Sequence, residues 1–229
     1  MRTSGANQQD TSKCLDYAPD AEYKHTARHR SDSAVNIGGE LSAKITELSE
    51  VTSEPACNFS FKDLTEALLA RQYVPSLPEI SELIARTTVS PDDLLPYLGF
   101  KAGNYCRHRV MRSEFVEMLV LCWKPGQRTP IHDHNGSHGA VFVHEGILWE
   151  TTFDYDTEEG LGYKAHRELR AGGLTGAELP DIHQIGNPDV SGQDLITIHI
   201  YAPPLGVLKT YKLGSSTIDL YTPADPDFL

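Results

Sequence analysis

Two histidines one residue apart, His132 and His134 in CWKPGQRTPIHDHNGSHGAVFVHEGILWE (Cys122–Glu150), carry the strongest chemical signal in this 229-residue chain. On an extended segment successive side chains alternate faces, so both imidazoles point one way while Ile131 and Asp133 point the other. Two imidazoles so placed can meet one divalent metal. A third ligand must then come from elsewhere, and His183 in ELPDIHQIGNP is the best candidate. A nitrogen-only set of three leaves positions open on one side of the metal, as a substrate-binding site needs. His138 and His144 are substitutes; a place on a tight turn and one within an apolar run count against them.

Two more groups repeat at period two. Thr197, His199 and Tyr201 share one face of DLITIHIYAP, with Ile196, Ile198 and Ile200 on the other. If the polar face lines an interior, its groups must bond to each other, to a ligand or to water, because an unsatisfied buried polar group is costly. An exposed face on an edge strand is the bland alternative. Tyr105 and Arg107 share a face by the same rule, with Cys106 opposite. A guanidinium there can clamp a carboxylate through two parallel charge-assisted hydrogen bonds, although a solvated surface arginine is the plainer reading.

These residues need strands to hold them. From Gly103 onward the chain reads as short segments rich in Val, Ile, Thr and aromatics: Tyr105–Arg112, FVEMLVLCW, GAVFVHEGILWETTF, GYKAHREL, GAELPDIHQIG, DLITIHIYAP and LKTYKLG. Gly, Pro, Asn and Asp separate them. No long helix intervenes, so an antiparallel barrel or double-sheet jelly roll is expected over 99–229. Ahead of it, residues 41–98 read as a helical section packed on the barrel. Leu41, Ile45 and Leu48 form one face, Ser60 caps a helix with Phe61, Leu64 and Leu68 inward, Leu77–Thr87 buries Ile80, Leu83 and Ile84, and Ser90-Pro91 opens a short helix through Tyr97. Residues 1–40 read as a polar, mobile tail, with 41–229 as one structural domain.

Composition narrows the partners. Twenty basic against 32 acidic residues give a net charge of -12, which repels nucleic-acid phosphates and anionic lipid. The longest apolar run, Met118–Trp123, cannot span a bilayer, and the polar amino terminus has no signal-like run. A cytoplasmic protein is expected, with the four cysteines as reduced thiols and nothing that demands more than a monomer.

The spacing Gly126-x5-His132-x-His134-x4-Gly139-x6-Gly146 resembles the first cupin motif, with Gly139 where a glutamate ligand is common. His183 and Asn187 resemble the tail of the second. Taken together, YCR at 105–107, LCW at 121–123, IHDH at 131–134, SHG at 137–139, His183 and HIYAPP at 199–204 resemble the cysteine dioxygenase family of thiol dioxygenases, over roughly residues 60–215. The resemblance implies a mainly β cupin barrel (a double-stranded β-helix, or jelly roll) with short N-terminal α-helices. It further implies Fe(II) held by His132, His134 and His183, and oxidation of cysteine by dioxygen to cysteine sulfinic acid. Arg107 carries over as the carboxylate clamp, Tyr201 as the phenol above the metal, His199 as its orienting group, Thr197 in place of the usual serine, and Tyr105 as a pocket residue. Animal members often have a cysteine at the Gly139 position, crosslinked to the tyrosine; Gly139 has no thiol, so Tyr201 is expected as a free phenol.

Arg107 favours an amino-acid thiol over 3-mercaptopropionate, which members with glutamine there accept. Ergothioneine or another carboxylate-bearing thiol is the alternative substrate. A non-catalytic ligand-binding cupin and a zinc or manganese isomerase are alternatives of a different kind.

Overall fold

The computed structural model describes residues 58–177 and 181–223. The expected tail over 1–40 and the helical face of Leu41, Ile45 and Leu48 lie outside those residues.

Local chemistry sets the helices. A two-residue strand, β1 (Phe59–Ser60), leads into α1 (Phe61–Leu69). Ser60 Oγ accepts from Asp63 N–H while the Asp63 carboxylate accepts from Ser60 N–H, a reciprocal capping box. Phe61, Leu64 and Leu68 are buried, as their spacing predicts. Helix α2 (Leu77–Ala85) ends before the expected Thr87, because Arg86 caps it and Thr87 enters β2 (Thr87–Thr88), the parallel partner of β1. Helix α3 (Pro91–Leu94) repeats the capping box with Ser90 and Asp93, and a single 3-10 turn, Leu95–Tyr97, follows it.

The remaining strands are β3 (Cys106–Arg112), β4 (Glu117–Trp123), β5 (Ile131–Asp133), β6 (His138–Glu145), β7 (Ile147–Asp156), β8 (Gly160–Arg170), β9 (Leu174–Ala177), β10 (Ile182–Gly186), β11 (Leu195–Ala202), β12 (Leu208–Tyr211) and β13 (Ile218–Tyr221). They form two antiparallel sheets, ordered β13-β12-β5-β10-β7-β8 and β3-β4-β11-β6-β9. This is the expected mainly β, cupin-like double-stranded β-helix with short helices before it. Strand β13 was not expected, because IDLY is brief and sits in a polar stretch.

Period-two alternation sorts each strand between layers. Ile196, Ile198 and Ile200 of β11 pack with Met118, Val120 and Cys122 of β4 against the helices, through Phe61, Leu64, Leu68, Ile80, Ile84 and Leu94. The opposite faces of β4 and β11 turn Leu119, Leu121, Trp123, Leu195 and Tyr201 toward Leu148 and Ile185 of the other sheet. Beyond that sheet, Ile131, Phe153, Leu161, Ile182 and Tyr211 form a third cluster. Cys106 and Cys122 are opposite one another across β3 and β4, on the helix side and outside any disulfide, and burial pushes the Cys122 thiol up to about 11.

His138 is not on a turn, as was expected. It opens β6 opposite Ala202, and its Nε2 lies 2.7 Å from the Pro75 carbonyl, tying the barrel to the segment before α2. Among the described residues, no helix is long and apolar enough to cross a membrane.

Candidate metal centre

Adjacent strands β5 and β10 bring His132 directly opposite His183. His134 follows β5 on the same face as His132, just before a reversal at Asn135 (φ +44°) and Gly136 (φ +107°). The residue between the two imidazoles is pinned from the other side. Asp133 Oδ1 accepts from Asn135 N–H at 3.0 Å and its Oδ2 accepts from the Tyr211 hydroxyl at 2.8 Å. With Asp133 held on the outer face, the segment keeps its histidine face toward the barrel interior.

The three rings converge. Centroid separations are 5.1 Å (His132 to His134), 4.8 Å (His132 to His183) and 5.0 Å (His134 to His183), and one nitrogen from each lies within 4.8 Å of the others. The Nδ1 of His132 faces the Pro130 carbonyl at 3.0 Å, and that of His183 faces Glu150 Oε1 at 2.8 Å. His134 Nδ1 has the Asp181 carboxylate at 3.6 Å. Both ring nitrogens of His134 and the Nε2 of His183 are buried without a hydrogen-bond partner. Such orphaned ring nitrogens are costly in a dry interior, and a divalent metal that takes one from each histidine relieves the acceptors among them. The donors therefore fit the three-histidine iron(II) site that the resemblance implies.

Electrostatics suits ligation, which needs neutral imidazole. Burial, with the charge of His183, holds the His132 pKa down at about 3, and burial likewise holds His134 well below the usual histidine range. His183 departs upward: burial alone would lower it, but the hydrogen bond to Glu150 and the charges of Asp181 and Glu150 outweigh burial. Glu150, on β7, was missed from sequence. Its Oε1 takes the His183 N–H, and its Oε2 takes Arg167 Nε at 2.6 Å and the Thr175 hydroxyl at 3.2 Å, while Arg167 also donates to Thr175. Burial by itself would raise its pKa; the bonds and charges of His183 and Arg167 bring it to about 2. A carboxylate so placed fixes the ligand's tautomer and strengthens it as a donor. The available signal was alternation from buried Leu148 to Glu150, and Arg167 directly across on β8.

The five-stranded sheet supplies a different array. Strand β11 lies between β4 and β6 with all eight residues buried, so the exposed-edge alternative for its polar face falls away. Trp123 Nε1 donates to Thr197 Oγ1 at 2.9 Å, Thr197 Oγ1 is 2.8 Å from His199 Nε2, and His199 Nδ1 is 2.8 Å from the Tyr201 hydroxyl. Indole is only a donor, so Thr197 accepts from it and keeps its own hydrogen for His199 Nε2. His199 then carries its proton on Nδ1 and donates to Tyr201, leaving the phenolic hydrogen for the cavity. The opposite polarity would bury a threonine hydroxyl hydrogen with no acceptor. Burial, then Arg107, holds the His199 pKa at about 3, and burial raises Tyr201. The Tyr201 ring lies 5.3 Å from that of His134. Trp123 is the member of this chain that alternation along β11 could not supply.

A model of the cysteine dioxygenase type I family matches residues 53–213. This chain belongs to that family. It is 26% identical over 141 residues to cysteine dioxygenase type 1 of Danio rerio, covering 59% of this chain and 70% of the relative. To the Rattus norvegicus protein of the same name it is 26% identical over 142 residues, with the same coverage. Among solved structures, a Klebsiella pneumoniae protein with a double-stranded β-helix domain matches at 20% identity and TM-score 0.42, over 50% of this chain and 85% of that one.

Membership and the three-histidine centre make this cysteine dioxygenase-type protein a non-haem iron(II) thiol dioxygenase. Gly139 stands opposite Tyr201, and a Cβ there would sit 2.7 Å from the ring's Cδ1. The tyrosine ring thus lies close against the Gly139 backbone, and that position offers it no thiol to crosslink. Arg107 and Tyr105 line one cavity with His132, His199 and Tyr201, and Tyr105 stacks on Trp123 at 4.1 Å. Cys106 points away to the helix side. Asn187, expected beside His183 in the motif, bonds instead to the carbonyls of Trp123 and Gln193, which fixes the end of β10.

Proposed function

We propose that this thiol dioxygenase acts on a small thiol bearing a carboxylate, with L-cysteine oxidised to cysteine sulfinic acid as the first assignment. The overall change, RSH + O2 → RSO2H, places both oxygen atoms on sulfur. The observation that carries the proposal is the position of Arg107 on the same cavity as His132, His199 and Tyr201. Ferrous iron, when bound by His132, His134 and His183, supplies a centre at which thiolate sulfur and dioxygen become neighbours.

The chain's own residues do the rest. Arg107 clamps the carboxylate with parallel charge-assisted hydrogen bonds, fixing the distance between that end and the sulfur. Tyr105, held flat against Trp123, narrows the same wall. Tyr201 presents its hydroxyl hydrogen to the cavity because Thr197 and His199 are ordered behind it. Leu121, Ile185, Leu205 and Leu208 keep the surrounding lining apolar, which strengthens each of those polar contacts.

Oxygen uptake by the ferrous protein with cysteine, 3-mercaptopropionate, cysteamine and ergothioneine tests the assignment. Cysteine is expected to be fastest and cysteamine, without a carboxylate, slowest; equal rates for those two would overturn it. Arg107→Ala should raise KM for cysteine on the order of a hundredfold. An unchanged KM and kcat would remove Arg107 from the clamp.

A further inference from the structure

Strand β13 lies beyond residue 213, where the family match ends, yet it contributes to the pocket. Tyr221 stands opposite Leu208 on β12, and Lys209 stands opposite Asp133 on β5, so the row running through Tyr221 and Leu208 continues to His134. Residues directly opposite in an antiparallel pair share a face. Tyr221 therefore faces the same side as the metal-ligating histidines, two strand spacings or about 10 Å away. The cavity lining agrees, because Tyr221 and Pro223 close it together with Tyr105, Arg107 and Leu208. Tyr221 is half-buried.

A thiol acid bound by sulfur at the three histidines extends its carboxylate toward Arg107. A carboxylate has about four lone-pair sites, and a bidentate guanidinium takes two of them. A neutral phenol at the same end offers a further donor, and its ring bounds the length of the ligand. We propose that Tyr221 is a specificity-determining residue that donates to the substrate carboxylate beside Arg107. This rests on the carboxylate-bearing thiol of the proposed function.

The test is anaerobic binding of cysteine, 3-mercaptopropionate and cysteamine to the full-length iron(II) protein by calorimetry, in parent, Tyr221→Phe and Leu220→Ala forms. Leu220 is on the same strand, 72% exposed, and alternates to the opposite face. Tyr221→Phe, which keeps the ring and loses the hydroxyl, should weaken cysteine and 3-mercaptopropionate about tenfold and leave cysteamine unchanged. Leu220→Ala should change none of the three. Equal weakening of cysteamine, or the same loss in Leu220→Ala, would show only a structural role for the strand and overturn the proposal. So would parent-like affinity in Tyr221→Phe while the parent still prefers cysteine; that outcome leaves the proposed substrate class standing. Should the parent bind cysteamine as tightly as cysteine, the carboxylate reading and the role of Tyr221 fall together.

Discussion

The two walls of this barrel meet the same cavity with opposite electrostatic designs. The six-stranded sheet backs its histidines with carboxylates, Glu150 behind His183 and Asp181 near His134, and pins the intervening Asp133 with Tyr211. The five-stranded sheet brings a neutral hydrogen-bonded row, Trp123, Thr197, His199 and Tyr201, with Arg107 as the charged group beside it. Anionic support suits a cation that must stay bound; a neutral row suits a proton that must stay aimed. The difference implies that substitutions on one wall change metal retention and those on the other change substrate binding or turnover.

His183→Ala is the strongest challenge to that division. It removes one of three ligands and should cost the protein its stoichiometric iron, with activity falling to background. Metal analysis after desalting measures it, and full iron retention would move the third ligand elsewhere. On the opposite wall, Tyr201→Phe should keep iron and KM while kcat drops on the order of a hundredfold, the size of one positioned proton donor. Iron loss in that variant would erase the distinction between the walls.

What could be read beforehand follows from the same geometry. Period two is a local property of an extended chain, so His132 with His134, Thr197 with His199 and Tyr201, and Arg107 against Cys106 were legible from spacing alone. The helix starts were legible because Ser60 and Ser90 cap through bonds to residues three positions on. Glu150 was not, because its meaning comes from β7 lying between β8 and β10, which puts Arg167 and His183 on either side of it. Trp123 was invisible in its role for the same reason: its partner Thr197 is 74 residues away. Strand β13 and Tyr221 were missed because four residues leave too little alternation to register.

Glu150→Gln sharpens the comparison from within the metal wall. The amide can still accept from His183, but it carries no charge and turns an N–H toward either Arg167 or the histidine. Iron affinity should fall roughly 10- to 100-fold, as when other carboxylates behind a ligating histidine are removed. Chelator competition reads it without reference to turnover. A smaller fall is expected for Arg167→Met, which leaves the Glu150 bond to His183 intact.

The pH dependence of stability separates His199 on one wall from Glu150 on the other by window. His199 is held at about 3 against an ordinary 6.5, so between those values the unfolded chain binds a proton that the native chain refuses. Its contribution is intact above pH 6.5 and is lost as pH falls toward 3. Glu150, at about 2 against 4.5, behaves as a depressed carboxylate: its stabilisation is present above 4.5 and disappears as pH drops through 2. Thermal melts of the iron-free protein should therefore show His199→Gln flattening the profile between pH 6.5 and 4.5, by up to one proton or about 1.4 kcal/mol per pH unit. Glu150→Gln should flatten the profile below 4.5 and, because it removes the bond and charge that hold His183 up against burial, steepen it between 6.5 and 4.5. Identical profiles for the two variants would mean that one coupled network, rather than two walls of different charge, controls the acid response.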